Sequence, residues 1–209
     1  MKNEKIVIFG DSYSTFEGHI PEGYASFYPR EDNPTVSDVS CTWWKQLASQ
    51  TASEILLNNS WSGTTICNTG YGGDCSKTTS FICRLGKVID SGFFEKNAVD
   101  RVFVFGGTND SWTKNEVGNV QFADWSDEDK RRVLPGISFF IHTLLGVMPK
   151  EKVHVVINGI LREEIIRGMV EICEHYGVGY TRLTDVDILS GHPTYTGMTQ
   201  IKDQILKNI

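Results

Sequence analysis

Short β-rich runs recur along the chain at Lys5 to Phe9, Glu54 to Asn58, Arg101 to Phe105, Lys152 to Asn158 and, more weakly, Val178 to Arg182. Each has a strand's length and composition, so five strands are predicted. Between them apolar residues recur with helical spacing over Trp43 to Ala52, behind a Thr42 cap, over Phe81 to Ser91, within Asp127 to Met148, and over Arg162 to Tyr176. A last helix is expected from Tyr195 to Lys207. Pro135 cannot donate a hydrogen bond inside a helix, so the segment from Asp127 divides. A short helix follows Ser126, with Asp129 three residues on, and a second starts near Pro135. Strands alternating with helices imply a parallel sheet covered on both faces, with right-handed crossovers.

Composition narrows this picture. A chain of 209 residues, 40% hydrophobic and 22% charged, fits one domain spanning 1–209. A chain of this length buries roughly 70% of its unfolded surface and needs no disulfide or metal to fold. The net charge of -6 comes with no basic run suited to a phosphate backbone, which argues against nucleic acid as a partner. Five cysteines without a CxxC pair fit a reduced compartment better than a disulfide framework. The first residues hold no apolar leader and no stretch suits a membrane span, so a cytoplasmic protein without membrane partners is expected. His19, His142, His154 and His175 are scattered without metal-ligand spacing.

Three connections, residues 10–41, 59–79 and 106–125, exceed the usual strand-to-helix loop and rise on one edge of the sheet. They carry Tyr13, Phe16, Tyr24, Phe27, Tyr28, Trp61, Tyr71, Trp112 and Trp125. Two readings stand: these rings wall a cleft for a sugar or acyl group, or they pack the loops down. Gly70-Tyr71-Gly72-Gly73-Asp74 lacks the Lys-Ser/Thr of a phosphate loop and reads as a flexible lid. Arg30 is either a surface residue or a contact for an anionic substrate group.

The polar signals sit at the strand ends. The first strand stops at Gly10-Asp11-Ser12, the second runs into Asn58-Asn59-Ser60-Trp61-Ser62-Gly63-Thr64, and the third into Gly106-Gly107-Thr108-Asn109-Asp110. Gly191-His192-Pro193-Thr194 precedes the last helix. Ligands of open α/β sheets collect outside the carboxyl ends of the strands, which makes Ser12 the first candidate nucleophile.

Together the four segments resemble the four blocks of the SGNH hydrolase superfamily, also called GDSL esterases and lipases. The resemblance spans Ile6 to the helix after Pro193 and keeps the blocks in order. It implies a flavodoxin-like, three-layer α/β sandwich on a five-stranded parallel sheet, and an esterase that needs no cofactor and no metal. It further implies Ser12 as nucleophile, His192 as base, and Gly63, Asn109 and the Ser12 amide as oxyanion donors. A serine hydroxyl needs a neutral imidazole to take its proton, and the developing oxyanion needs donors already in place. The first block reads Gly-Asp-Ser-Tyr where the family has Gly-Asp-Ser-Leu.

One position departs from the pattern. Three residues before the histidine the family commonly carries an aspartate, and here stands Leu189. Asp187, five residues before His192, is the expected third member, with Asp185 or a backbone carbonyl as alternatives. Trp61, Trp112 and Tyr13 are expected to face substrate. The expected substrate is a small-molecule or carbohydrate ester with a short acyl group. A catalytically silent glycan-binding module and an acyltransferase are the rival readings.

Overall fold

The computed structural model describes residues 3–209. Strand β1 (Lys5–Gly10) leads through a long loop to helix α1 (Trp43–Thr51), then to β2 (Glu54–Ser60) and a small hairpin, β3 (Thr69–Gly70) with β4 (Gly73–Asp74). Helix α2 (Phe81–Asp90) and the single turn α3 (Phe93–Lys96) lead to β5 (Arg101–Phe105), and α4 (Thr108–Trp112) follows at once. Helix α5 (Val133–Leu145), β6 (Val153–Ile157), α6 (Glu163–Tyr176) and β7 (Gly179–Arg182) complete the alternation. A second hairpin, β8 (Ile188–Leu189) with β9 (His192–Pro193), precedes α7 (Tyr195–Leu206).

The five long strands form one parallel sheet in the order β2-β1-β5-β6-β7. This is the order of a flavodoxin-like sheet, as expected, and its switch point lies between β1 and β5, where open α/β sheets bind ligands. Alternation along the strands divides the core. Val7, Phe9, Val102 and Val104 pack with α2, α5 and α6, whereas Ile6, Ile8, Phe103 and Phe105 pack with α1 and α7. Burying each such side chain stabilises the fold by roughly 1.5–3 kcal/mol, which fixes the sheet's register and therefore which side chain emerges at each strand end.

The helix boundaries follow the expected caps. Thr42 Oγ1 accepts from the Lys45 amide at 3.3 Å. The short helix expected after Ser126 is only a single 3-10 turn, Asp129–Arg131, whose own cap position, Glu128, makes no side-chain bond; Ser126 and Asp129 bond each other reciprocally just ahead of it, Ser126 Oγ accepting from the Asp129 amide at 3.2 Å and Asp129 Oδ2 from the Ser126 amide at 2.9 Å. Helix α5 starts at Val133, two residues before the expected Pro135, which sits within its first turn where a missing amide costs nothing. The short α3 and α4 and both hairpins, too brief for a periodic pattern, were not predicted from the sequence.

Candidate active site

The backbone at the end of β1 comes so close to its neighbours that only glycine fits at position 10. A Cβ there would lie 2.4 Å from Ser60 Oγ and 2.6 Å from Ser14 Cβ. The chain then turns through a 3-10 helix, Ser12–Ser14, capped by Asp11, whose Oδ1 accepts from the Tyr13 amide at 3.1 Å. Asn58 Nδ2 donates to Ser14 O at 2.9 Å and Trp43 Nε1 to Ser14 Oγ at 3.1 Å, so β2 and α1 hold this turn from two sides. Ser12 therefore has a fixed backbone.

His192 meets it from the far end of the chain. Its Nε2 lies 2.9 Å from Ser12 Oγ, and both side chains are buried. Burial holds the imidazole below its ordinary pKa, partly offset by the Ser190 carbonyl. It is thus neutral near pH 7, the form that accepts a proton. Its other nitrogen, Nδ1, faces Ser190 O at 3.2 Å.

The expected Asp187 does not reach the ring. Its carboxylate accepts from Thr194 Oγ1, and its backbone carbonyl from the Thr194 amide at 3.1 Å. Thr194 caps α7, so Asp187 is drawn to the helix start and away from the imidazole. Other groups fix His192. Phe27 stacks on the ring, and Asn33 Nδ2 donates to His192 O at 3.3 Å and to Pro193 O at 3.0 Å. Tyr28 Oη donates to Pro193 O at 2.6 Å. The sequence reads Phe27 and Tyr28 as rings that either wall a cleft or pack their loop, and gives Asn33 no role, because a loop's docking is not written in its periodicity.

Gly63 and Asn109 come to the same edge from β2 and β5. Gly63 has φ +77°, which favours glycine, and its amide makes no hydrogen bond among the described residues. Asn109, buried on α4, donates from Nδ2 to Thr64 O at 3.0 Å and so joins the third block to the second. Beneath them lies Arg84 of α2, fully buried. Its guanidinium donates to Gly10 O at 3.2 Å, Thr64 Oγ1 at 3.1 Å, Asn59 Oδ1 at 2.8 Å, Thr79 O at 3.0 Å and the Asn59 carbonyl. Burial lowers its pKa to about 10, which leaves it cationic at neutral pH. Asp110 accepts the Ile66 and Cys67 amides at 2.9 and 3.1 Å, fixing the loop that follows Gly63.

The expected substrate-facing rings divide. Trp112 is 39% exposed with its ring 5.9 Å from that of His192, at the rim. Trp61 stacks on Tyr24 with centroids 4.0 Å apart. Tyr13 is 1% exposed, packs against Phe105 and donates to Gly191 O at 2.7 Å. It supports the His192 loop from below and does not face substrate, because the turn after Ser12 directs its side chain into the core. No group of three or more His, Cys, Asp or Glu side chains is arranged for a metal ion among the described residues, and none of their helices is long and apolar enough to cross a membrane.

Residues 4–209 match the family described as GDSL-like Lipase/Acylhydrolase. Among solved structures, a candidate GDSL-like lipase from Bacteroides ovatus is 34% identical, with 99% of this chain and 98% of that one covered and a TM-score of 0.88. One from Bacteroides uniformis is 35% identical, with 98% and 94% covered and a TM-score of 0.89. The acetyl xylan esterase Est2A from Butyrivibrio proteoclasticus shares the fold at 16% identity, with 99% and 63% covered and a TM-score of 0.62. No curated protein sequence matches the chain.

Proposed function

The chain belongs to the GDSL-like lipase/acylhydrolase family, hydrolases acting on ester bonds, and from that premise we propose that it is a serine esterase working through a Ser12-His192 dyad. The observation that carries this reading is the 2.9 Å contact between Ser12 Oγ and His192 Nε2, made by residues 180 apart in sequence.

Ser12 Oγ attacks the ester carbonyl carbon while its proton passes to His192 Nε2, and the carbonyl oxygen becomes an oxyanion held by the Ser12 and Gly63 amides and the free Nδ2 hydrogen of Asn109. The bond to the alcohol oxygen then breaks, and that oxygen takes the proton from His192. Water attacks the acyl-Ser12 ester, giving its proton to His192. The second collapse releases the carboxylic acid, and the proton returns to Ser12. The Ser190 carbonyl accepts from Nδ1 and holds the tautomer in which Nε2 is the acceptor.

The proposed substrate is a short acyl ester of a carbohydrate or other soluble alcohol. Supporting it are the exposed faces of Trp112 and Tyr71 at the rim and the stacked Tyr24-Trp61 pair, in which Trp61 stands two residues before Gly63. Rings of this kind suit sugar faces. A neighbour of the same fold is an acetyl xylan esterase. The test is a fluorophosphonate probe with activated esters of increasing acyl length: the probe labels Ser12, Ser12→Ala abolishes turnover and labelling, and acetyl esters are preferred. Turnover by purified Ser12→Ala at the wild-type rate overturns the mechanism; a preference for long chains overturns the substrate.

A further inference from the structure

The glycine-rich segment after Asn68 forms the β3-β4 hairpin, in which Tyr71 is the one large side chain between Gly70 and Gly73. The hairpin is anchored away from its tip. Asn115 Nδ2 donates to Thr69 O at 2.6 Å, Thr69 Oγ1 donates to Arg131 O at 2.9 Å, and Arg131 pairs with Asp74 at 3.0 Å. A cavity of about 260 Å³ separates it from the Gly63–Thr65 turn, with Thr78 and Thr79 also in its lining. Tyr71 thus stands beside the oxyanion glycine.

Packing does not explain this side chain. It is 61% exposed and stacks on no other ring among the described residues. Its hydroxyl nevertheless lies 3.2 Å from Asn109 Oδ1. The direction of that bond follows from chemistry. Asn109 uses Nδ2 to donate to Thr64 O, so the atom facing Tyr71 is the amide oxygen, which can only accept. Tyr71 therefore donates. One Nδ2 hydrogen is spent on Thr64, and one remains for the oxyanion. A donor at Oδ1 also draws charge from the amide and strengthens its remaining N-H as a donor.

We propose that Tyr71 is a positioning residue whose hydroxyl, presented by the glycine hairpin, locks the Asn109 amide in the orientation that serves the oxyanion. This rests on the reading of Asn109 as an oxyanion donor given above. The bond acts through Asn109 and not through substrate, so its loss should fall on kcat and leave KM alone.

The test is a double-mutant cycle on an activated acetyl ester with Tyr71→Phe, Asn109→Ala and the pair, thermal unfolding being followed for each. Tyr71→Phe should lower kcat about 3- to 10-fold with KM unchanged, the size of one neutral hydrogen bond. Asn109→Ala should lower it by roughly 10²- to 10³-fold, and Tyr71→Phe should then add nothing. Independent losses that multiply, a raised KM with intact kcat, or a silent Tyr71→Phe beside a damaging Asn109→Ala overturn the role of Tyr71 alone. A silent Asn109→Ala overturns the oxyanion assignment, and the role of Tyr71 with it.

Discussion

Phe27 lies flat on His192, their ring centroids 3.4 Å apart and their planes 11° from parallel. The Arg30 guanidinium carbon lies 5.0 Å from the Phe27 centroid, and Arg30 is itself paired with Asp32 at 2.8 Å. The imidazole is therefore located by a ring face on a loop some 165 residues away in sequence, as well as by its own hairpin. A flat contact restrains tilt and sliding without competing for either ring nitrogen.

Removing that contact should disorder His192 more than the fold. Phe27→Ala is expected to reduce kcat by up to about 10²-fold, the loss that a misplaced reacting group causes. Because burial depresses the His192 pKa, the variant should also move the acid limb of kcat/KM upward, toward the ordinary value near 6.5. Phe27→Tyr keeps the ring and should restore both properties. Profiles of rate against pH for the two variants check this; an unshifted limb in Phe27→Ala counts against it.

Asp187 provides the opposite test, since its carboxylate belongs to the Thr194 cap. Asp187→Asn should leave kcat within about threefold, whereas an orienting carboxylate would cost about 10⁴-fold. Its effect should appear in unfolding experiments, at about 1 kcal/mol for a weakened helix cap. Asn33→Ala, which frees the His192 and Pro193 carbonyls, should do what Asp187→Asn does not and slow turnover.

The contrast between Asp187 and Phe27 marks how far the sequence was legible. Strand and helix positions follow from burial with a regular period, so the sheet and the three polar segments at its strand ends, Ser12 among them, could be read directly, whereas His192, ahead of the last helix, was reached only through the family resemblance. The partners of His192 could not be read. Asp187 was chosen by proximity in sequence, and a cap residue, Thr194, outcompetes the ring for it. Phe27, Tyr28, Asn33 and Tyr71 lie in loops whose conformations are set by tertiary hydrogen bonds. Tyr13 belongs to a long aromatic loop and so reads as a cleft residue, but a 3-10 turn rotates it away from Ser12 and into the core.

Arg84 ties the ends of β1 and β2 to the turn carrying Gly63, and it has no carboxylate among its hydrogen-bond partners. The Gly10 and Asn59 carbonyls that it holds are buried and cannot turn to water. Arg84→Lys keeps the charge but not the planar fork, and each acceptor left unpaired costs about 1–3 kcal/mol. Urea unfolding should report a loss of several kcal/mol, with kcat reduced in the protein that remains folded. A stability equal to wild type would show that the fork is dispensable.

Asp11, next to Ser12 and fully buried, should set the pH dependence of stability on the acid side. Burial raises its pKa from 3.8 to about 7, against the opposing Tyr13 amide and Arg84 charge. The folded protein therefore holds a proton on Asp11 between about pH 4 and pH 7 that the unfolded chain has released. Folding binds that proton, so this group's contribution is most favourable below pH 4 and declines as pH rises to about 7, above which its cost is constant. Asp11→Asn keeps an oxygen for the Tyr13 amide and cannot ionise. The variant should match wild type near pH 4 and exceed it at pH 8, with a ceiling of about 4 kcal/mol at about 1.36 kcal/mol per pKa unit. Denaturant unfolding at both pH values measures this. An Asn variant that is less stable than wild type at pH 8 would mean that the ionised carboxylate is held by its surroundings and that burial does not dominate.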